Sequence, residues 1–527
     1  MSAAIELYLS QLNTTEEVKA GFRRFGQHYG WLCMGTIILA MLASLLSITI
    51  VNVAIPQIMG TFGIAQDEAQ WLSTANLAAA TVGMLMSSWV VSTWGIKYAV
   101  AGIMSLFSLS CLAGSLSPNL EVLIFARTLQ GLASGQITPL TMSIIFLLFP
   151  ENKAGMVMGI SSIGGVLAPA LGPTVGGIII DSLNWRYVFV LSIPFSVVCV
   201  VTAMLFLPGK GREDIRVPFD WVGFLSLSGA ITLLLLGLSN GEREGWSSNF
   251  ILGSLTSSGV LWGAFIMSQA KSTSPLLNLR IFAHREYAIY AITAFMFGAG
   301  LYGSTYLIPM FLQIVQGASP TDSGLAMMPA GLAMAVAIPA CGRLADWHKP
   351  RNLIALGSIF FAVSFYLMLA ADSQTGFWTF AMWTVVGRLG IGLAMPAMSL
   401  GALKAVPVEI LSEASSVLNF TRQLGGAFGV NLLSVAIARR TQFHTDSLYT
   451  TQGSDNLLTQ QWLSDMANWM SGAGLSSLEQ GSLSMSYLAM SLQQQAVTLS
   501  FQDAFAISAI AFLVTLIPTM LLDRNTS

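Results

Sequence analysis

Fourteen stretches of this chain are each long and apolar enough to cross a lipid bilayer, and that pattern removes most folds from consideration. A helix needs about 20 apolar residues to traverse the hydrocarbon core. Runs of that kind fall near 31–56, 71–92, 98–117, 121–147, 155–180, 187–207, 220–239, 250–270, 288–314, 324–345, 352–371, 377–402, 411–438 and 503–522. Only 9% of the 527 residues are charged, against roughly 25% in soluble domains. Too little charge remains to coat a water-facing surface of this size. In lipid each such run satisfies its own backbone hydrogen bonds as a helix. The expected class is an all-α integral membrane protein with lipid as its solvent.

An even number of spans puts both termini on one side. Most of the 23 basic residues, including Lys19, Arg23, Arg24, Lys97, Lys153, Lys210, Arg212, Lys271, Arg285, Arg351 and Lys404, fall on that side. Arg186, Arg243, Arg439 and Arg440 fall opposite, and Arg127, Arg388 and Arg422 lie within spans. Cytoplasmic loops hold the excess of Lys and Arg, so both termini are expected in the cytoplasm. Residues 1–30 read as a polar cytoplasmic tail, because the apolar run behind them is too long for a signal-peptide core. The segment 439–502, on the outer side, is rich in Ser, Gln, Met and Leu and too polar to span. It reads either as a surface loop or as a docking surface for an extracytoplasmic partner.

Several chemistries are excluded at this stage. The net charge of −2 gives no reason to expect nucleic acid. Cys33, Cys111, Cys199 and Cys341 sit far apart in apolar runs, without CxxC spacing, as small buried side chains do. His28, His284, His348 and His444 lie in tails or loops without ligand spacing, so neither metal nor cofactor is expected. There is no HExxH, no nucleophile elbow and no GxxxxGK[ST]. An enzyme and an ATP-driven pump are both disfavoured.

The chain echoes itself. "RTLQGLASG" in span 4 places Arg127 four residues before Gly131-Leu132-Ala133, and "RLGIGLAMP" in span 12 places Arg388 four residues before Gly392-Leu393-Ala394. The loop "SWVVSTWGIK" (88–97) after span 2 has a counterpart in "GRLADWHKPR" (342–351) after span 10. These pairs match if residues 31–207 and 288–527 are related six-helix halves, with an inserted helix pair in 208–271. Related six-helix halves around a midplane site are a transporter architecture.

At these residues the chain resembles a known family, the fourteen-helix drug:proton antiporters of the major facilitator superfamily (EmrB/QacA type, nearest the EmrB branch). Span 5 reads "LGPTVGG", in which Gly172, Pro173, Gly176 and Gly177 match the antiporter motif G-P-x-x-G-G. Arg127, Gln130 and Gly131 match R-x-x-Q-G, and "TIVNVAIP" matches the first-helix signature at Thr49, Asn52, Ala54 and Pro56. Gly342, Asp346 and Arg351 resemble the superfamily loop motif, and "SSVLNFTRQLGGAFG" (415–429) looks like the EmrB branch. The resemblance implies the major facilitator fold, with fourteen transmembrane helices as two six-helix halves plus the inserted pair. It implies a multidrug efflux transporter of the bacterial inner membrane, working by alternating access and proton antiport. It also implies a tripartite assembly with a periplasmic adaptor and an outer-membrane channel, reached through 439–502. A dedicated exporter of an endogenous anionic metabolite or siderophore is the alternative on the same fold.

The chain departs from the family where Ser47 stands two residues before Thr49, in place of an Asp. No Asp or Glu falls in the middle third of any span, and Glu413, about one turn inside span 13, is the nearest exception. The expected substrate or coupling residues are Arg127, Gln130, Arg388, Arg422, Asn419, Glu413, Ser47, Asn52, Asn76, Tyr302, Tyr306 and Gln313. Three intramembrane arginines without matched carboxylates need carbonyls, water or an anion; Arg388 and Arg422 read either as packed against carbonyls or as part of a cavity of positive potential that accepts small amphipathic, including anionic, substrates. Glycine and proline, poor in water-borne helices, suit close packing between helices in lipid. Gly165, Gly172 and Gly176 fall near one stripe, which is expected to pack against the other half and close one side. Pro169 and Pro173 should bend that helix. Gly131, Gly177, Gly342, Asp346 and Arg351 complete the expected packing and gating set.

Overall fold

The computed structural model describes residues 16–149, 157, 171–209, 218–272, 275–407, 410–452, 456–471 and 477–522, with a few side chains inside helices left out. Gly165 and Pro169 lie outside these residues, as does the Asp346 side chain. Every element described is helical. Among the described residues, ten helical stretches are long and apolar enough to cross a membrane.

The N-terminal helices are α1 (Glu16–Phe25), α2 (Tyr29–Phe62), α3 (Trp71–Ser115), α4 (Leu120–Ser134), α5 (Ile137–Leu148), a helical segment over 171–182, and α6 (Tyr187–Phe206). Two features of this stretch follow from helix geometry. At 1.5 Å per residue the 45 residues of α3 would run about 68 Å, twice a bilayer core. The helix is interrupted at Gly95, with φ 74° and ψ 161°, a conformation open to glycine but costly for residues with a Cβ. The stretch between 121 and 147, read as one span, passes from α4 to α5 through Gly135 and Gln136, both in right-handed helical conformation, with Gln136 N–H bonded to the Ala133 carbonyl in a tighter turn.

Glycines let backbones touch. A methyl on Gly131 would overlap the Asn76 carbonyl, one on Gly83 the Leu132 carbonyl, and one on Gly135 the Ala80 carbonyl. Gly131 is therefore a packing residue between α4 and α3.

The C-terminal helices are α7 (Trp221–Glu244), α8 (Asn249–Lys271), α9 (Arg285–Ile314), α10 (Pro320–Trp347), α11 (Pro350–Met368), α12 (Phe377–Lys404), α13 (Leu411–Thr451), α14 (Leu457–Ser471), α15 (Ser477–Val514) and α16 (Leu516–Met520). The α9–α13 contact repeats the glycine device, with Gly298 against the Arg422 carbonyl, Gly425 against that of Phe295 and Gly429 against that of Ala299. The pair α7–α8 packs on itself through Ser258 Oγ to the Ala230 carbonyl, 2.8 Å. It meets the bundle through Gln70 Nε2 to Ser239 Oγ (2.5 Å) and Asn431 Nδ2 to the Leu235 carbonyl (3.4 Å). Helix α8 turns Val260, 71% exposed, outward, as a lipid-facing surface does.

The segment 439–502 is largely helical, which corrects the expectation of a loop. Helix α13 continues to Thr451 and α15 begins at Ser477. Their 41 and 38 residues reach roughly 60 Å, well beyond a bilayer core. Polar side chains zip the extension. Asp503 Oδ2 accepts from Arg440 Nε at 2.5 Å and meets His444 Nε2 at 2.6 Å. Thr441 Oγ1 donates to Ser500 Oγ (2.8 Å) and Thr445 Oγ1 to Gln493 Oε1 (3.2 Å). Hydrogen-bonding residues too polar to span can still hold two helices together in water.

Candidate functional site

A cavity of about 730 Å³ opens between the N-terminal helices and the helices that end and begin around residues 403–419. Its wall is built from α3 (Met84, Trp89, Ser92), α5 (Thr138, Met142, Ser143), the end of α12 (Leu403) and the start of α13 (Glu413, Ser416, Asn419). Phe219, Asp220, Leu276 and Asn278, in the segments before α7 and after α8, also line it. The lining is mainly apolar with scattered hydroxyls and amides, the composition of a small-molecule site.

Two described carboxylates reach the wall. Glu413 is exposed in the first turn of α13 and accepts from Asn278 Nδ2 at 2.8 Å. Asp220 caps α7 by accepting from the Gly223 N–H (2.8 Å), and also accepts from Gln269 Nε2 (2.7 Å) and Ser268 Oγ (3.2 Å). Asp220 reads in the sequence as a helix-end charge. The signal for more was its place in "PFDW", a carboxylate among aromatics at the head of an apolar run.

The arginines lie elsewhere. Among the described lining residues there is no Lys or Arg, so the positive cavity expected from the sequence is not what this wall offers. The reason is geometric, since guanidinium groups inside a bundle turn toward helix carbonyls and hydroxyls where no carboxylate is in reach. Arg127 is fully buried on α4. It donates Nε to the Leu72 carbonyl at 2.9 Å, Nη1 to Ser47 O and Oγ at 3.3 and 3.4 Å, and Nη1 to Gln130 Oε1. Gln130 in turn donates to Cys111 Sγ at 2.9 Å, and Asn76 Nδ2 donates to the Arg127 carbonyl at 3.0 Å. Ser47, Asn76, Arg127 and Gln130 thus form one polar knot where α2, α3 and α4 meet. Arg127 Nη2 has no partner among the described residues.

In the other half Arg388 donates Nη2 to Thr305 Oγ1 at 3.0 Å, and its Nη1 has no described partner. Arg422 pairs with Asn419 Oδ1, and Asn419 alone of those two lines the cavity. Neither is paired with a described carboxylate. Asn52 accepts from Ser73 Oγ at 2.6 Å. Tyr306 OH reaches Ser434 Oγ at 3.4 Å, and Tyr302 packs over Gly426. Gly342 has open space where a Cβ would go. Arg351 Nη1 donates to the Leu522 carbonyl at 3.3 Å. Of the expected substrate residues, the structure brings Glu413 and Asn419 to the cavity wall and gives the others contacts elsewhere in the bundle.

At the opposite end the halves touch. Gln313 Nε2 on α9 donates to the Val53 carbonyl on α2 at 3.0 Å, and Thr174 Oγ1 donates to the Gly324 carbonyl at 2.9 Å. Gly172 and Gly176 face Thr49 and Ile50 of α2, in their own half. Gly177 faces Pro320 and Thr321 of α10. The sequence stripe was therefore assigned to the wrong neighbour. One residue is about 100° of helix rotation, so Gly177, off the stripe, is the glycine that meets the other half. On the same face, in the turn between α11 and α12, the Thr375 hydroxyl and then the Gln374 N–H hold the Asp372 carboxyl below the usual carboxylate range.

Comparison with known proteins adds to this geometry. The Major Facilitator Superfamily model matches residues 37–430. The multidrug export protein EmrB of Haemophilus influenzae is 27% identical over 481 residues, covering 91% of this chain and 93% of that protein. The colistin resistance protein EmrB of Acinetobacter baumannii is 26% identical over 508 residues, 95% and 98% of the two chains. Among solved structures, a POT family transporter in complex with a thioalcohol-conjugated peptide superposes with a TM-score of 0.64 at 15% identity, covering 93% of this chain and 96% of that one. A bacterial homologue of the lysosomal transporter Spinster, inward-facing and unoccupied, gives 0.62 at 14% identity over 95% and 100%. At these identities the structural matches speak for the fold.

Proposed function

We propose that this chain, which belongs to the major facilitator superfamily, is a multidrug efflux transporter of the inner membrane that exports small amphipathic compounds by alternating access and proton antiport. Membership makes it a multi-pass membrane transporter and not an enzyme. The observation that carries the finer reading is the 730 Å³ cavity between the halves, open at one end, with cross-half contacts at the other. That is the form of one state of a rocking pair of bundles.

The ten apolar stretches become fourteen spans when α3 is divided at Gly95 and when α4–α5, the region around 171–182 and α13 are each counted. Residues 31–207 and 288–527 are then the two halves, 208–271 holds the inserted pair, and 1–30 is a cytoplasmic tail. The distribution of Lys and Arg supports a cytoplasmic position for both termini and the cavity mouth. Glu413 and Asp220, the described carboxylates on the wall, are the groups placed to exchange protons there, while Ser47 removes the family's usual candidate. The helical extension exposes Leu457, Leu458, Trp469, Met485, Tyr487 and Met490. Exposed apolar side chains on a segment too polar to span support docking of a periplasmic adaptor that leads to an outer-membrane channel.

The test is efflux from proteoliposomes under an imposed pH gradient, with a lipophilic cation, a neutral dye and an amphipathic anion as probes. Uphill efflux of at least one, reduced in Glu413→Gln or Asp220→Asn, is the expected result. Folded protein that moves none of the three with or without the gradient would refute the proposal.

A further inference from the structure

The sequence Pro173-Thr174-Val175-Gly176-Gly177 has a second copy in Pro320-Thr321-Asp322-Ser323-Gly324, since both read P-T-x-x-G. The half-to-half echo does not predict this match, because it pairs span 5 with span 13 and not with span 10. The structure shows what the two strings do to each other. A Cβ on Gly177 would run into the Pro320 carbonyl and the Thr321 Cα. A Cβ on Gly324 would run into the Pro173 carbonyl and the Thr174 Cα. The contact is self-complementary, each glycine seated on the Pro-Thr step of the other string, as in an isologous interface.

We infer that Pro320, Thr321 and Gly324 are a second gating motif, equal in function to Pro173–Gly177, and that outer closure requires both. Closure of this kind needs two hydrogen-only Cα positions, because in lipid the attraction between helices comes from close packing and hydrogen bonds. Thr174 adds a buried hydrogen bond to the Gly324 carbonyl at 2.9 Å. Asp181, four residues beyond Gly177, accepts the Thr321 N–H at 2.8 Å. That N–H belongs to the first turn of α10, whose helix dipole favours a carboxylate. Asp181 is a positioning residue that tethers one half to the start of the other half's helix. The inference rests on the alternating-access reading above.

The experiment uses the full chain in nanodiscs, with spin labels on Leu183→Cys and Trp378→Cys, exposed positions on the two halves at the closed end, and the native cysteines replaced by alanine. Gly177→Ala and Gly324→Ala are each expected to raise the ratio of long to short distances by roughly tenfold or more, the scale of an overpacked contact. The two should agree within about threefold, and the double variant should add little, because both break one contact. Gly259→Ala, on the lipid side of α8 with open space at its Cβ, serves as the control. Asp181→Asn, which adds no bulk, should shift the ratio by about two- to fivefold, and Asp181→Glu should recover part of it. A response to Gly177→Ala with none to Gly324→Ala overturns the second motif alone. No response to either, in folded protein, overturns the gate and the alternating-access reading with it. If Gly324→Ala does not fold, an Asp181→Asn distribution identical to wild type overturns the tether and the inference.

Discussion

Ser47 offers the sharpest perturbation of the polar knot. Its hydroxyl lies 3.4 Å from Arg127 Nη1, and Arg127 Nη2 is buried without a described partner. Ser47→Asp would bring a carboxylate within ion-pair range of that guanidinium. Two unit charges 4 Å apart attract by about 4 kcal/mol at an effective dielectric of about 20. Burying the carboxylate costs several kcal/mol before pairing. The two nearly cancel, so the single variant should fold with a stability within about 2 kcal/mol of the parent. The pairing is exposed by a double-mutant cycle with Arg127→Met, which keeps the bulk and removes the charge. The coupling between positions 47 and 127 should be about 1–3 kcal/mol, the range for residues in one ionic network. Thermal unfolding of the four purified proteins in one detergent reads it as a difference in apparent Tm. A coupling below about 0.5 kcal/mol, the level of independent sites, would show that Ser47 and Arg127 do not share a network and would refute this account of the knot.

Two further outcomes follow from packing and from the extension. Gly131→Ala should lower the apparent Tm by the equivalent of about 1–3 kcal/mol, because the added methyl meets the Asn76 backbone, whereas Gly263→Ala, facing open space, should change it by less than about 0.5 kcal/mol. Asp503→Asn removes the negative charge shared by Arg440 and His444 and replaces one carboxylate oxygen with a donor, so amide exchange should quicken near 440–450 and 493–503 while the cavity wall is unchanged; equal protection in both proteins would show that the extension is held together by other contacts.

Much of this protein is legible without coordinates because lipid is an undemanding solvent to read. The expected spans within the described residues fall on helices, and most of 155–180 lies outside those residues; backbone groups in hydrocarbon must pair within their own segment. The helical extension escaped that reading. Its residues are too polar for the hydropathy signal, and its order comes from pairings such as Arg440 with Asp503, sixty-three positions apart. Glu413 was found as the one carboxylate near a span interior, and it does line the cavity. For Arg388 and Arg422 the sequence leaves both packing against polar groups and a cavity role open, because a charge inside a span shows only that it must find a partner, not which way it turns; the structure gives them Thr305 and Asn419.

The sequence by itself determined the solvent, the helical class and the family, all of which are written in local composition and short motifs. Only the tertiary structure decided that Gly177 rather than Gly176 meets the opposite half, that Asp220 shares the cavity wall with Glu413, and that residues 320–324 mirror 173–177 across the closed end. Those facts depend on the rotation of each helix about its axis and on contacts between segments more than a hundred residues apart. No periodicity along a single helix carries that information, because it resides in the way the helices are packed together.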